Sequence, residues 1–214
     1  VKMIPPEILA LWCEFKSSKT NPIFVEFASI LKFLTFVIVS KSLPNENILK
    51  SIPLPLSSSI KFDKPLFKAV LEAETIIHLA GENRPKSIEA FGEANHMLTK
   101  KLCKFCKEKD TKTHIIFSSS TQVEQDNPYG KSKLAAEDEL LELNKSSKNS
   151  VSIFRFPGVF GKWCRPNYNS VVATFSHNIA NNLPIKINEK SNILNLIYID
   201  DLIDQIIQAI NFPK

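Results

Sequence analysis

From Thr75 onward, short apolar runs alternate with longer amphipathic ones, and this alternation limits the possible folds more than any other feature of the chain. Thr75-Ile76-Ile77-His78-Leu79 is apolar almost throughout and ends in Ala80-Gly81, as suits a parallel strand buried on both faces. Ser87 to Lys109 then reads as a helix, with Ile88, Phe91, Leu98, Leu102 and Phe105 near helical spacing. His114 to Phe117 is a second strand, Tyr129 to Asn144 a helix, and Val151 to Phe154 a third strand closed by Pro157 and Gly158. Ser170 to Asn182 reads as a helix, Ile193 to Tyr198 as a strand and Asp201 to Ile210 as a last helix. The expected class is α/β, a Rossmann-like doubly wound parallel sheet covered on both sides. In such sheets ligands collect at the carboxyl ends of the strands. Gly81, Ser118 to Ser120 and the Arg155 to Gly161 turn all stand at such ends.

One constellation there carries chemistry. Ser118-Ser119-Ser120 is followed after a short loop by Tyr129-Gly130-Lys131-Ser132-Lys133. A tyrosine and a lysine four apart on a helix share a face, and a serine ending the preceding strand reaches the same spot. Hydride chemistry on a sugar alcohol or ketone needs such a set. The phenol of Tyr129 gives or takes a proton, the charge of Lys133 lowers the phenol's pKa, and the Ser120 hydroxyl positions the reacting oxygen. A bare tyrosine-to-lysine spacing of four is common by chance, so the neighbours decide. His78 reads as a packed, hydrogen-bonded residue, and Asp200 and Asp201 as carboxylates at the amino end of the last helix. For Asn95, support of the active-site backbone and a solvated helix position stay open.

The whole chain sets bounds. Its 214 residues fit one domain, and a net charge of +5 comes from scattered lysines, without the clustered basic face expected for nucleic acid. Cys13, Cys103, Cys106 and Cys164 show no disulfide framework, and Cys103-x-x-Cys106 lacks a second ligand pair, so no metal is expected and the thiols read as reduced and cytoplasmic. Ile23 to Val39 is the most apolar stretch, but Glu26 and Lys32 interrupt it. It reads as containing a buried strand near Phe33 to Val39, without membrane insertion. The first 70 residues differ from the rest, holding seven of the prolines, no glycine and none of the clean alternation.

These residues resemble the extended short-chain dehydrogenase/reductase superfamily, the NAD-dependent epimerase/dehydratase family. The resemblance rests on His78-Leu79-Ala80-Gly81, Ser120, Tyr129 and Lys133, Arg155-Phe156-Pro157-Gly158-Val159-Phe160-Gly161 and Tyr198-Ile199-Asp200-Asp201. It implies Ser120, Tyr129 and Lys133 as catalytic residues. It further implies that Leu79, Ala80, Gly81, Ser118, Tyr129, Lys133, Phe156 and Pro157 line an NADP or NAD site. A narrower likeness runs through Gly81 to Pro85, Gln122 to Pro128 and Gly161 to Ser170. These segments are similar to the reductase domain of capsular polysaccharide enzymes that make activated N-acetyl-L-fucosamine precursors. That likeness implies NADPH-dependent reduction of a 4-keto group on a UDP-linked deoxy-amino sugar, with Asn83, Arg84, Gly158, Lys162, Arg165, Asn167 and Asn169 facing the UDP-sugar. It leaves a homodimer and a separate cupin epimerase open as partners, since the chain stops at Lys214, about where the reductase domain would end.

Two departures stand beside the resemblance. The family opens with a strand and a glycine-rich turn whose amides hold the cofactor pyrophosphate. Here the corresponding span, Phe33 to Leu43, has a side chain at every position. The first βα unit is therefore expected to be atypical or incomplete. Residues 1–68 read as a segment foreign to the family domain, from a reading-frame error, a decayed gene or a wrongly chosen start, and 69–214 as the reductase/epimerase-like region. The second departure is Gly158, where the family usually carries a substrate-facing asparagine. Two alternatives to the reductase follow: an epimerase or dehydratase of the same family, and a non-catalytic remnant that has lost the cofactor.

Overall fold

The computed structural model describes residues 36–43, 46–53, 70, 73–108, 112–187 and 193–211, the first two stretches as backbone. Five strands form the main sheet: β1 (Phe36–Leu43), β2 (Glu46–Pro53), β3 (Thr75–His78), β4 (His114–Ser120) and β5 (Ser150–Phe156), in the order β2-β1-β3-β4-β5. β3, β4 and β5 run parallel, with Thr75 beside His114 and His114 beside Ser150, so their carboxyl ends share one edge.

The core explains why these runs are strands. Ile76, Ala80, Ile115 and Phe117 pack on one face, against Leu98, Leu102, Cys103 and Cys106 of one helix and Ala136, Leu140 and Leu143 of another. Ile77, Leu79 and Ile116 point to the other face, against Ile199, Leu202, Ile203 and Ile206. Neighbouring residues thus serve opposite layers, which requires strands apolar at every position. Each fully buried side chain of this size contributes about 1.5–3 kcal/mol.

The helices follow in sequence. α1 is built from an α turn Glu89–Phe91, a π segment Gly92–Met97 and an α segment Leu98–Glu108. α2 (Pro128–Ser146) starts where Asn127 accepts a hydrogen bond from the Gly130 amide at 2.8 Å and proline occupies the first turn. α3 (Val171–Ala180) is capped by Ser170. α4 (Ile199–Asn211) carries Asp200 and Asp201 in its first turn. A second, two-stranded sheet pairs β6 (Gly158–Phe160) in parallel with β7 (Leu196–Tyr198).

Two expectations need correction. The strand expected over Ile193 to Tyr198 is confined to β7, because only Leu196–Tyr198 finds a partner in β6, and Ile193 and Leu194 are exposed. The sheet is not parallel throughout, because β1 pairs antiparallel with both β2 and β3. The expected strand at Phe33 to Val39 is met from Phe36 onward, whereas residues 23–35 of the apolar stretch and Cys13 lie outside the described residues. Among the described residues no helix is long and apolar enough to cross a membrane, and no cluster of histidine, cysteine and carboxylate side chains has the makings of a metal site.

Candidate active site

The carboxyl ends of β3 and β4 meet the first turn of α2. β4 delivers Ser118, Ser119 and Ser120, all buried, and a 3-10 turn at Thr121–Glu124 leads toward α2. The Ser120 hydroxyl accepts a hydrogen bond from the Gln122 amide at 3.2 Å and is bonded to the Tyr129 phenol. One turn further along α2, the Lys133 ammonium donates to the Ser118 carbonyl at 2.7 Å and sits 4.5 Å over the Phe117 ring. Ser120, Tyr129 and Lys133 are thus gathered at one place.

The electrostatics differ from the expected arrangement. Burial pushes the Tyr129 phenol up, and its bond to Ser120 pulls the other way. Lys133 is not among the groups that move the phenol, and burial discourages its own charged form. Burial lowers Lys133 to about 7, and Glu137 opposes that fall. His78 is packed, as its sequence position suggested. It shares a hydrogen with the Thr99 hydroxyl at 2.9 Å and is lowered to about 3, by burial first and by Lys133 second.

The loop after β3 is fastened from α1. Asn95, buried in the π segment, accepts from the Glu82 amide at 2.8 Å and donates to the Glu82 carbonyl at 3.0 Å and to Ser132 at 2.9 Å. Of the two readings left open for Asn95, support of the site's backbone is the one found. A Cβ on Gly81 would come within 2.7 Å of the Asn95 amide oxygen and 3.2 Å of the Lys133 nitrogen. Glycine permits that close approach. Leu79 and Ala80 are buried at the end of β3, and Phe156 ends β5 with Pro157 after it, on the other side of β4.

A cavity of about 300 Å³ is lined in part by Thr121, Gln125, Gly158, Asn169 and Asn195; Thr121 follows Ser120 in the chain, while Ser120, Tyr129 and Lys133 are not part of its wall. Of the residues expected near a sugar nucleotide, Gly158 and Asn169 stand on it. A Cβ at 158 would meet the Leu196 side chain at 2.8 Å and the Asn195 carbonyl oxygen at 3.3 Å, so the β6–β7 pairing favours glycine here. Arg84 donates to the Tyr168 carbonyl and lies 5.1 Å over the Tyr168 ring. Lys162 is held by Asp200 at 2.6 Å, the Asn167 amide donates to Thr174, and Arg165 is exposed. Of the seven candidates only Gly158 and Asn169 line the cavity; Asn83 and Arg84 lie in the loop after β3, and Lys162, Arg165 and Asn167 in the segment between β6 and α3.

Reading from the sequence missed a second cluster behind the first. Glu137 is buried and receives a hydrogen bond from the Ser119 hydroxyl, while Arg155 grips its carboxylate through Nε at 3.1 Å and Nη2 at 2.7 Å. The signal was available, because Glu137 follows Lys133 by one more helical turn on the same face.

A model of the NAD dependent epimerase/dehydratase family matches residues 63–214. This chain belongs to that family. The UDP-2-acetamido-2,6-beta-L-arabino-hexul-4-ose reductase of Pseudomonas aeruginosa is 45% identical over 152 residues, 71% of this chain and 40% of that protein. The capsular polysaccharide assembling protein CapF from Staphylococcus aureus superposes with a TM-score of 0.60 at 42% identity, over 72% of this chain and 42% of that one. The UDP-glucuronic acid 4-epimerase from Bacillus cereus, solved with UDP-glucuronic acid and NAD, gives 0.62 at 22% identity over 72% of this chain and 54% of that one. That last likeness is one of fold. The chain spans two-fifths of the length of the curated relative it matches.

Membership of this family implies a dinucleotide, and the described residues fit it at one end only. Ser118, Tyr129, Lys133 and the Leu79 to Gly81 turn surround the place where chemistry is expected. The pyrophosphate end finds no match among the described residues. The strand beside β3 runs antiparallel, pairing Val37 with His78 and Ser40 with Thr75. Its carboxyl end, Leu43, therefore lies at the sheet edge away from Ser120. No strand-to-helix turn with free amides stands next to Gly81 among the described residues.

Proposed function

We propose that the chain carries the proton-delivering half of a keto-reductase site for a UDP-linked deoxy-amino sugar used in making surface polysaccharide. The observation that carries this reading is the meeting of the Ser120 hydroxyl with the Tyr129 phenol, one residue before Thr121 on the wall of the 300 Å³ cavity. The carbonyl oxygen of the sugar accepts from Ser120 and from the phenol. Tyr129, kept protonated by burial, gives up its proton as charge builds on that oxygen. The Pseudomonas aeruginosa relative is named as a reductase of such a hexulose, which supports the substrate class. The likeness to the Staphylococcus aureus protein supports the capsule setting. NADPH or NADH is the reductant this reading calls for.

A second reading is favoured by β1. An antiparallel strand where the family has a parallel one supports a folded relative that has lost its dinucleotide seat. Titration of NADPH, followed by its fluorescence, separates the two. Saturable binding in the micromolar range, with turnover of a UDP-4-keto-6-deoxy-hexosamine, supports the reductase. No binding at millimolar NADPH removes it and leaves the second reading.

A further inference from the structure

Behind Ser120, three elements are tied together at one buried carboxylate. The Ser119 hydroxyl at the end of β4 donates to Glu137 Oε1, and Arg155 from β5 donates Nε to both oxygens, at 3.1 and 3.3 Å, and Nη2 to Oε2 at 2.7 Å. Ser119 and Arg155 are register partners across β4 and β5, and Glu137 sits four residues beyond Lys133 on α2. Ser119 lies between the two residues whose positions matter to the site. Its neighbour Ser118 offers the carbonyl that receives Lys133, and the hydroxyl of its neighbour Ser120 is bonded to the Tyr129 phenol. Fixing Ser119 fixes both. A buried carboxylate without partners would be costly, and the two-pronged grip of Arg155 offsets that cost in a defined orientation.

We propose that Glu137, clamped by Ser119 and Arg155, is a positioning residue that locks the carboxyl end of β4 against α2 and supplies the counter-charge to the Lys133 ammonium. The geometry stands by itself; its use in catalysis rests on the reductase reading above. The titratable groups facing Lys133 are His78 from β3 and Glu137 from its own helix. Those facing Glu137 are Ser119, Lys133 and Arg155, and Arg155 is also 3.6 Å from the exposed Glu124. Glu137 opposes the fall of Lys133 to about 7.

The test reads Lys133 directly, by the pH titration of its side-chain carbon and nitrogen signals in the chain labelled at lysine, and needs no turnover. Glu137→Gln, which removes charge with little change of shape, moves the Lys133 midpoint down by about one pH unit. Arg155→Gln, which leaves the carboxylate without its guanidinium, moves it up. Opposite signs are the signature of a counter-charge, whereas loosened packing would move both the same way. Shifts of equal sign, or none in either folded variant, overturn the proposal. The unaltered chain gives an arm that needs no variant: the Arg155 Nε hydrogen exchanges slowly with water, and an exchange rate like that of a free arginine overturns it. Loss of reductase activity alone bears on the reading above; the lysine titration bears on this one.

Discussion

At the scale of single residues, the site is a division of labour set by burial. Tyr129 is half-buried and pushed up, so it holds its proton through neutral pH. Tyr129→Phe removes that proton and little else. Under the reductase reading it costs about 10²–10⁴-fold in turnover, with affinity for the UDP-sugar retained. Single-turnover kinetics beside calorimetric titration of UDP measure the two separately, and an unchanged rate would remove Tyr129 from the chemistry. The spacing of Ser120, Tyr129 and Lys133 was legible in the sequence because helical geometry alone brings tyrosine and lysine to one face. Glu137 was not read, although it repeats the same spacing once more. In the sequence it opens a run of acidic residues ending at Glu142, and charge runs are ordinarily solvated. Only the fold puts Arg155 opposite it.

At the scale of elements, two contacts carry the loops that frame the site. The 3-10 turn Thr121–Glu124 lies against the start of α2 at Gly130, where an added Cβ would fall 2.0 Å from the Gln122 carbonyl oxygen and 3.1 Å from that of Gln125. Backbone cannot yield as a side-chain tip can. Gly130→Ala therefore destabilises the chain by about 1–3 kcal/mol, read as a lowered midpoint in urea. Wild-type stability in that variant would mean that the turn and α2 are not in contact as described. Asn95 joins α1 to the Glu82 backbone by two hydrogen bonds and to α2 through Ser132. Asn95→Ala leaves Glu82 without these partners, and its amide is expected to exchange with solvent at least tenfold faster, while amides of β4 stay protected. Helices α1 to α4 were legible from apolar spacing to within a residue or two. The π segment of α1 was not, because one wide turn leaves the apolar pattern nearly intact. The strand at Leu196–Tyr198 was overextended because Ile193 and Leu194 are apolar yet exposed, and burial is what a strand pattern reports.

At the scale of the whole molecule, the doubly wound layering was legible and the direction of the first strand was not. An apolar run tells that a strand is covered on both faces, but parallel and antiparallel partners ask for the same side chains. Absence of glycine before Gly81 already spoke against a phosphate-binding turn, and β1 gives that absence a topology. The same layering buries ionisable groups whose titration is felt by the entire fold. His78 is lowered to about 3 from 6.5, so between those values the unfolded chain binds a proton that the folded chain refuses, and stability falls as pH drops through that window. Lys133 is lowered to about 7 from 10.5. Between these the unfolded chain again holds more protons, so stability rises with pH and the cost of charging Lys133 is complete below about 7. Cys103 acts in the opposite sense. Burial raises its thiol to about 12 from 9.0, so above 9.0 the unfolded chain loses a proton that the folded chain keeps, and stability falls. The three together place the greatest stability on the alkaline side of neutrality, close to where the thiol's effect begins to offset that of Lys133. Urea midpoints at pH 5, 7, 9 and 11 check this, with the highest value expected at pH 9. Lys133→Met flattens the rise between 7 and 9 while leaving the acid limb of His78 in place. A maximum at pH 5 or 6, or a slope unchanged in that variant, would mean that Lys133 keeps its charge in the folded chain and is not the buried, carbonyl-held group described at the end of β4.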